Sequence, residues 1–223
     1  MTTAAASPRP GALLLEALGL DLPTSSAGVR VAGLELAVRA GERIHLRGPV
    51  DAASAVLRAL VGLVRPEAGT VRLLGQDLAT LPRRASAHLA GIGWLPRTGA
   101  LLSNLTLREN LHLPLEFHLG RVDPARVAAA LACFGLDEVP DLRPELVPLQ
   151  VRRRVALARA VLLDPALLLL DDPLDDLEEA ASRALAGALA AWAALPHRAL
   201  VFASPDHDLA AALGARRIDL PVI

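Results

Sequence analysis

Hydrophobic and polar positions change their period several times along this 223-residue chain, and the changes mark its elements. From Gln150 to Leu163, the residues Val155, Leu157, Ala158, Val161 and Leu162 recur at three- and four-residue steps behind Arg152, Arg153 and Arg154. That period predicts a helix. Asp164-Pro165 ends it, because a residue before proline is pushed out of the α region. Ala166 to Leu170 is then apolar without interruption and stops at Asp171 and Asp172. A run this short, with no polar side, fits a strand covered on both faces of a parallel sheet. Its two carboxylates stand at the C-terminal end, where open α/β sheets place their ligands.

Other segments follow the same logic. Strands are predicted over Ala12 to Leu22 and Val29 to Val38, the second with Leu34, Leu36 and Val38 alternating. After a turn at Ala40-Gly41-Glu42, Arg43 to Arg47 is a strand with Ile44 and Leu46 on one side. The loop Gly48-Pro49-Val50-Asp51-Ala52-Ala53-Ser54-Ala55 leads into a helix ending near Leu63. Thr70 to Leu74 and Leu89 to Arg97 read as strands, the latter running into a loop, and Ala199 to Ala203 as another. Leu101 to Leu115, Pro124 to Leu136 and Arg183 to Ala194 read as helices. Residues 1–11 are expected to form a loose N-terminal tail and residues 12–223 a single domain.

Composition narrows the classes. A net charge of −1 gives no support for a nucleic-acid or anionic-membrane binder. The single cysteine, Cys133, excludes a disulfide framework and agrees with a reducing compartment. In the apolar run VAAALACFGL it reads as a core residue. No apolar run reaches the roughly 18 residues needed to span a bilayer. The N-terminus lacks a basic leader region, and Glu16 and Asp21 interrupt its apolar stretch, so no signal peptide is expected.

The order of an arginine-led helix, an Asp-Pro break, four leucines and Asp171-Asp172-Pro173 resembles ATP-binding cassette (ABC) ATPases, from their signature helix into the Walker B strand. The resemblance runs from about Ala12 to Ile218, through AGERI, a loop, a helix ending in GL, RPEAGTV and GQDL. It implies a P-loop NTPase-like α/β fold, mainly a parallel sheet with an antiparallel β edge, and a helical subdomain inserted at about 98–150. The segment GALLSNLTLRENLHLPL is most similar to importer-like and lipid-trafficking members.

At the motif positions the chain departs from the family. The phosphate loop G-x-x-x-x-G-K-[ST] uses glycines to bring backbone N–H groups onto the phosphates, a lysine to neutralise them and a hydroxyl to bind Mg²⁺. Here Gly48 and Pro49 open the loop, but Asp51 and Ala53 stand at glycine positions, Ser54 at the lysine and Ala55 at the hydroxyl. Asp51 beside a polyphosphate would cost roughly 1 to 4 kcal/mol in wet surroundings. The alternative is an ordinary strand-to-helix turn capped by Asp51 and Ser54. All 23 basic residues are arginine, so no lysine elsewhere supplies the missing charge.

Arg97 falls where the family carries a glutamine that reaches metal and water, and its expected role is to hold an acidic neighbour. LVPLQ stands at the place of LSGGQ: Pro148 and Leu149 replace the glycines, Pro148 has no N–H to donate, and only Gln150 matches. Asp171 matches the Walker B metal aspartate. Asp172 stands for the glutamate that polarises water, one methylene short. Asp171, Asp172, Asp175, Asp176, Glu178 and Glu179 form an acidic cluster, read either as a cation site or as a solvated loop and helix N-terminus. His207, in HDL, aligns with the family's switch histidine or is a solvent-exposed turn residue. No aromatic lies between Leu20 and Gly28 to stack on adenine.

The resemblance implies ATP and Mg²⁺ as cofactors. As partners it implies an integral-membrane permease and a second ABC ATPase subunit, in a homodimer or heterodimer. It also implies a cytoplasmic place on the inner face of the membrane. Each ATP of the family lies between one subunit's phosphate loop and the other's signature motif, so the substitutions predict a degenerate site with weak or absent hydrolysis. The alternative function is a non-catalytic scaffold or regulatory partner.

Overall fold

The computed structural model describes residues 8–25, 28–81, 91–205 and 207–223. Two sheets and a helical lobe make up the described structure. Strands β1 (Leu13–Pro23), β2 (Arg30–Arg39), β4 (Ala68–Leu73) and β5 (Gln76–Asp77) form an antiparallel sheet in the order β2-β1-β4-β5. Strands β3 (Arg43–Arg47), β6 (Ile92–Leu95), β7 (Leu167–Asp171), β8 (Ala199–Ala203) and β9 (Arg216–Asp219) form a parallel sheet in the order β6-β7-β8-β3-β9.

Helix α1 (Val50–Leu60) fills the space between the sheets. It buries Ala52, Ala53, Val56, Leu57 and Leu60 in a core shared with β1, β2, β3 and β7. On the opposite face of the parallel sheet lie α5 (Glu179–Ala193) and α6 (His207–Leu213). The unbroken apolar run of β7 divides between the two sides with period two. Leu167 and Leu169 enter the core around α1, and Leu168 and Leu170 enter the core under Leu185, Leu189 and Leu213. β8 is likewise buried at all five positions. β2 alternates instead, with Leu34, Leu36 and Val38 inside, because only one of its faces is covered.

Between β6 and β7 the chain forms the helical lobe: α2 (Leu107–Leu119), α3 (Pro124–Cys133), a short 3₁₀ turn at Pro144–Leu146, and α4 (Leu149–Val161). Leu107, Leu111, Leu115, Val127, Leu131, Val155 and Leu162 close its core. α4 also joins lobe to sheet. At Gly93, in β6, an added Cβ would lie 2.3 Å from the Ala160 carbonyl oxygen and 2.2 Å from a Leu168 methyl, so only glycine lets strand and helix approach.

Three expectations change. α2 starts at Leu107, not Leu101, because the preceding residues wrap onto Asn110. That fully buried side chain accepts from Leu102 N–H at 2.9 Å and donates to the carbonyls of Leu102 and Thr106 at 3.1 and 2.9 Å. α5 starts at Glu179, a turn earlier than Arg183, and α6, β5 and β9 add elements outside the apolar patterns. Cys133 is exposed, not in the core. The alanine-rich α3 offers few markers of its inward side, and Val127 with Leu131, one helical turn apart, sets that side away from Cys133. α4 ends at Val161, and Asp164, before Pro165, follows it with φ of 55°, a left-handed conformation that aspartate tolerates.

Candidate functional site

The C-terminal ends of β3, β6, β7 and β8 point the same way, so the loops that follow them converge. Gly48, Arg97, Asp171, Asp172 and Ser204 thereby line one cavity of about 220 Å³, with Arg47, Val50 and Ala53 on its wall. This is the crevice at strand ends where parallel sheets hold ligands.

The loop after β3 turns straight into α1. Pro49 is the N-cap, and no side chain caps the helix. The capping expected of Asp51 and Ser54 is therefore absent, because the helix begins at Val50 and places both residues inside it. Asp51 sits in the first turn. Ser54 lies near Asp171, the last residue of β7, and works to lower its pKa. Ala55, at the position of the metal-binding hydroxyl, is buried. Gly48 lies under Leu220, where an added Cβ would come within 3.2 Å.

Asp171 and Asp172 are both 4 % exposed. Burial pushes the carboxyl of Asp171 up, against the neighbouring Ser54 hydroxyl and the nearby arginines that pull it down. Burial raises Asp172 as well, and Asp175 adds to it, while Ser204, Arg97 and Arg153 oppose. Asp172 is held at every polar group. Its N–H donates to Ala203 O at 2.8 Å, Ser204 Oγ donates to its Oδ1 at 3.1 Å, and Arg153 donates to its carbonyl. Its φ of 50° turns the side chain out of the strand line.

Arg97 pairs with Asp172 Oδ2 at 3.3 Å and with Asp175 Oδ2 at 3.6 Å, the acidic neighbour role expected of it. Arg153, 6 % exposed, reaches from α4 to the carbonyls of Arg97 and Asp172. Desolvation lowers its pKa, and the nearby carboxylates oppose the change.

The LVPLQ segment lies elsewhere. Pro148 caps α4 without a side-chain bond, Leu149 is 50 % exposed, and Gln150 Nε2 donates to Glu178 Oε1 at 3.1 Å. Leu149 lines a second cavity of about 350 Å³ with Ser103, Glu145, Arg152 and Asp176. His207 begins α6, but its side chain lies outside the described residues. Of the acidic cluster, Asp171 and Asp172 are buried, Asp175 is half-buried, and Asp176, Glu178 and Glu179 are exposed.

Three contributors carry no family motif. Ser204 follows the strand ALVFA, and its carbonyl accepts from His45 Nε2 at 2.9 Å, with the His45 ring stacked on Phe202 at 4.9 Å. Arg153 had a legible signal: it stands on the same stripe as Ala156, Leu157 and Ala160, all turned inward. An arginine on a buried stripe must find acceptors.

Comparison with known proteins agrees with this arrangement. Residues 31–175 match the family described as ABC transporter. The lipoprotein-releasing system ATP-binding protein LolD of Chromohalobacter salexigens is 33 % identical over 183 residues, covering 80 % of this chain and 77 % of that protein. The Fe(3+) ions import ATP-binding protein FbpC of Mesorhizobium japonicum is 34 % identical over 153 residues, but the chain spans only 41 % of its length. The solved ATP-binding cassette MJ0796, dimeric with ADP and Pi, superposes with a TM-score of 0.84 at 21 % identity, over 93 % of this chain and 94 % of that one. At that identity the likeness speaks for the fold alone. The family match over most of the chain, with the LolD relative, decides the matter: this protein belongs to the ABC transporter family and has the cassette of its nucleotide-binding subunits.

Proposed function

We propose that this chain is an ABC transporter cassette that works on an integral-membrane permease, paired with a second ABC subunit, and that its own ATP site has lost most or all nucleotide binding and hydrolysis. The observation that carries the second half is the serine at position 54, which stands near the buried carboxyl of Asp171. In the family, the residue at Ser54 is the phosphate lysine and the residue at Asp171 holds the metal. Here a serine stands in the lysine's place, and no lysine exists anywhere in the chain to replace the charge.

The rest of the site supports the same reading. Ala55 has no hydroxyl for Mg²⁺ and is buried. Arg97 places a cation against Asp172, where Mg²⁺ would meet repulsion. Pro148 and Leu149 present no donor pair to a phosphate on a partner. The residues present therefore do not fit ATP with Mg²⁺ in the family's manner, and Asp172 and His207 are assigned no hydrolytic step. The chain's role in the pair is then to hold and position, with any ATP use belonging to an intact partner. Among the described residues no helix is long and apolar enough to cross a membrane. The family resemblance is what supports the proposed docking of the cassette on the cytoplasmic side of a permease.

Calorimetry with Mg-ATP, at protein concentrations able to detect a Kd of ~1 mM (about −4 kcal/mol), tests this. The expected result is no saturable heat from folded protein. Saturable binding that Asp171→Asn abolishes would restore an ATP-using subunit and sink the proposal.

A further inference from the structure

We infer that Arg97 is the resident cation of this site: its guanidinium joins the loops after β6 and β7 and, together with Arg153, holds the helical lobe against the parallel sheet without nucleotide or metal. This deepens the proposed loss of the nucleotide site and rests on it.

Two independent sets of bonds connect the same residues. Through its side chain, Arg97 pairs with Asp172 at 3.3 Å and with Asp175 at 3.6 Å. Through their backbones, Arg97 and Asp172 both offer a carbonyl to Arg153. Arg153 belongs to α4, whose Val155, Ala158 and Leu162 side is built into the core of the helical lobe. Lobe and sheet are thus tied at one point by two arginines and two aspartates. Among the described residues Arg97 alone lines both cavities, the 220 Å³ one at the strand ends and the 350 Å³ one beside the lobe, and so stands where they meet.

The electrostatics require such a residue. Asp172 is nearly inaccessible to water, and a buried carboxylate needs a counter-charge. Arg97 supplies it from inside the chain. A divalent cation approaching Asp172 would have to expel it. Arg97 therefore acts as a positioning residue for the two loops.

Amide hydrogen exchange of the full-length protein tests this, using wild type, R97Q and R97K. R97Q is expected to raise exchange by about tenfold in residues 95–101 and 172–178, while β7 and β8 stay protected. R97K keeps the charge and is expected to stay within about threefold of wild type. Equal exchange in R97Q and wild type, or in R97Q and R97K, would reduce Arg97 to a surface or packing residue and overturn the inference. Should R97Q not fold, D175N removes one arm from the exposed side and is expected to loosen residues 172–178; unchanged exchange there overturns the inference as well. Mn²⁺ without nucleotide is expected to leave the wild-type loops unchanged, and protection by Mn²⁺ alone would show that the metal still takes the place assigned to Arg97. Mg-ATP forms a separate arm. Protection by Mg-ATP would defeat the reading of a lost nucleotide site, while the R97Q and R97K comparison would still judge Arg97.

Discussion

Asp171 stores an electrostatic cost that can be read out by pH. Its carboxyl is raised by burial, so the folded protein binds a proton there more readily than the unfolded chain does. Stability is then lost as pH rises from the ordinary carboxylate range through the raised folded value. Asp171→Asn keeps the size of the side chain and removes the charge. It is expected to melt above wild type at pH 7, with the difference shrinking as pH falls through that window, as thermal denaturation at several pH values would show. A variant melting below wild type at pH 7 would mean that the arginines outweigh burial. Asn110 carries the opposite kind of cost. Its amide satisfies Leu102 N–H and the carbonyls of Leu102 and Thr106, so Asn110→Ala leaves buried polar groups without partners. A loss of about 1 to 3 kcal/mol in urea unfolding is expected.

At the scale of elements, the start of α2 and the contact of β6 with α4 are the sensitive joints. Thr106 accepts from Glu109 N–H at 3.2 Å and Glu109 Oε2 accepts from Thr106 N–H at 2.7 Å, a reciprocal capping box. Thr106→Ala should cost about 1 kcal/mol, measured by the same unfolding curves. Gly93→Ala should cost more, on the order of 3 kcal/mol, because the new methyl meets the Ala160 carbonyl, which cannot yield without moving α4. A wild-type midpoint for Gly93→Ala would show that lobe and sheet are not locked at this contact.

For the molecule as a whole, the pairing of Arg97 with Asp172 links two units that the chain order keeps apart. Truncating one member of a fully buried pair costs about 3 to 5 kcal/mol. Arg97 is 38 % exposed at its side chain, so solvent screening lowers the expectation for R97Q to about 1 to 2 kcal/mol. The loss should appear in chemical denaturation and diminish at high salt. A pair whose removal changes nothing would leave the helical lobe held by apolar packing and by the Arg153 bonds to the two loop carbonyls.

The architecture was legible in the chain because burial on both faces of a strand, or on one, leaves a local record. The run Leu167 to Leu170, the alternation in β2 and the period of α4 each announced their element, and the motif order announced the family. Asp171 and Asp172 were legible for the same reason, as the first polar residues after a buried strand. What local pattern could not decide was who would meet whom. Arg153 reached two carbonyls on separate loops, and Ser204 came to Asp172 from a strand more than thirty residues away. Cys133 faced outward because the neighbouring Val127 and Leu131 chose the inward side. Hydrophobic period is a property of one element and is written in its own residues. The partner of a polar group depends on which strand ends the sheet order brings together, and that was decided only when β3, β6, β7 and β8 assembled side by side.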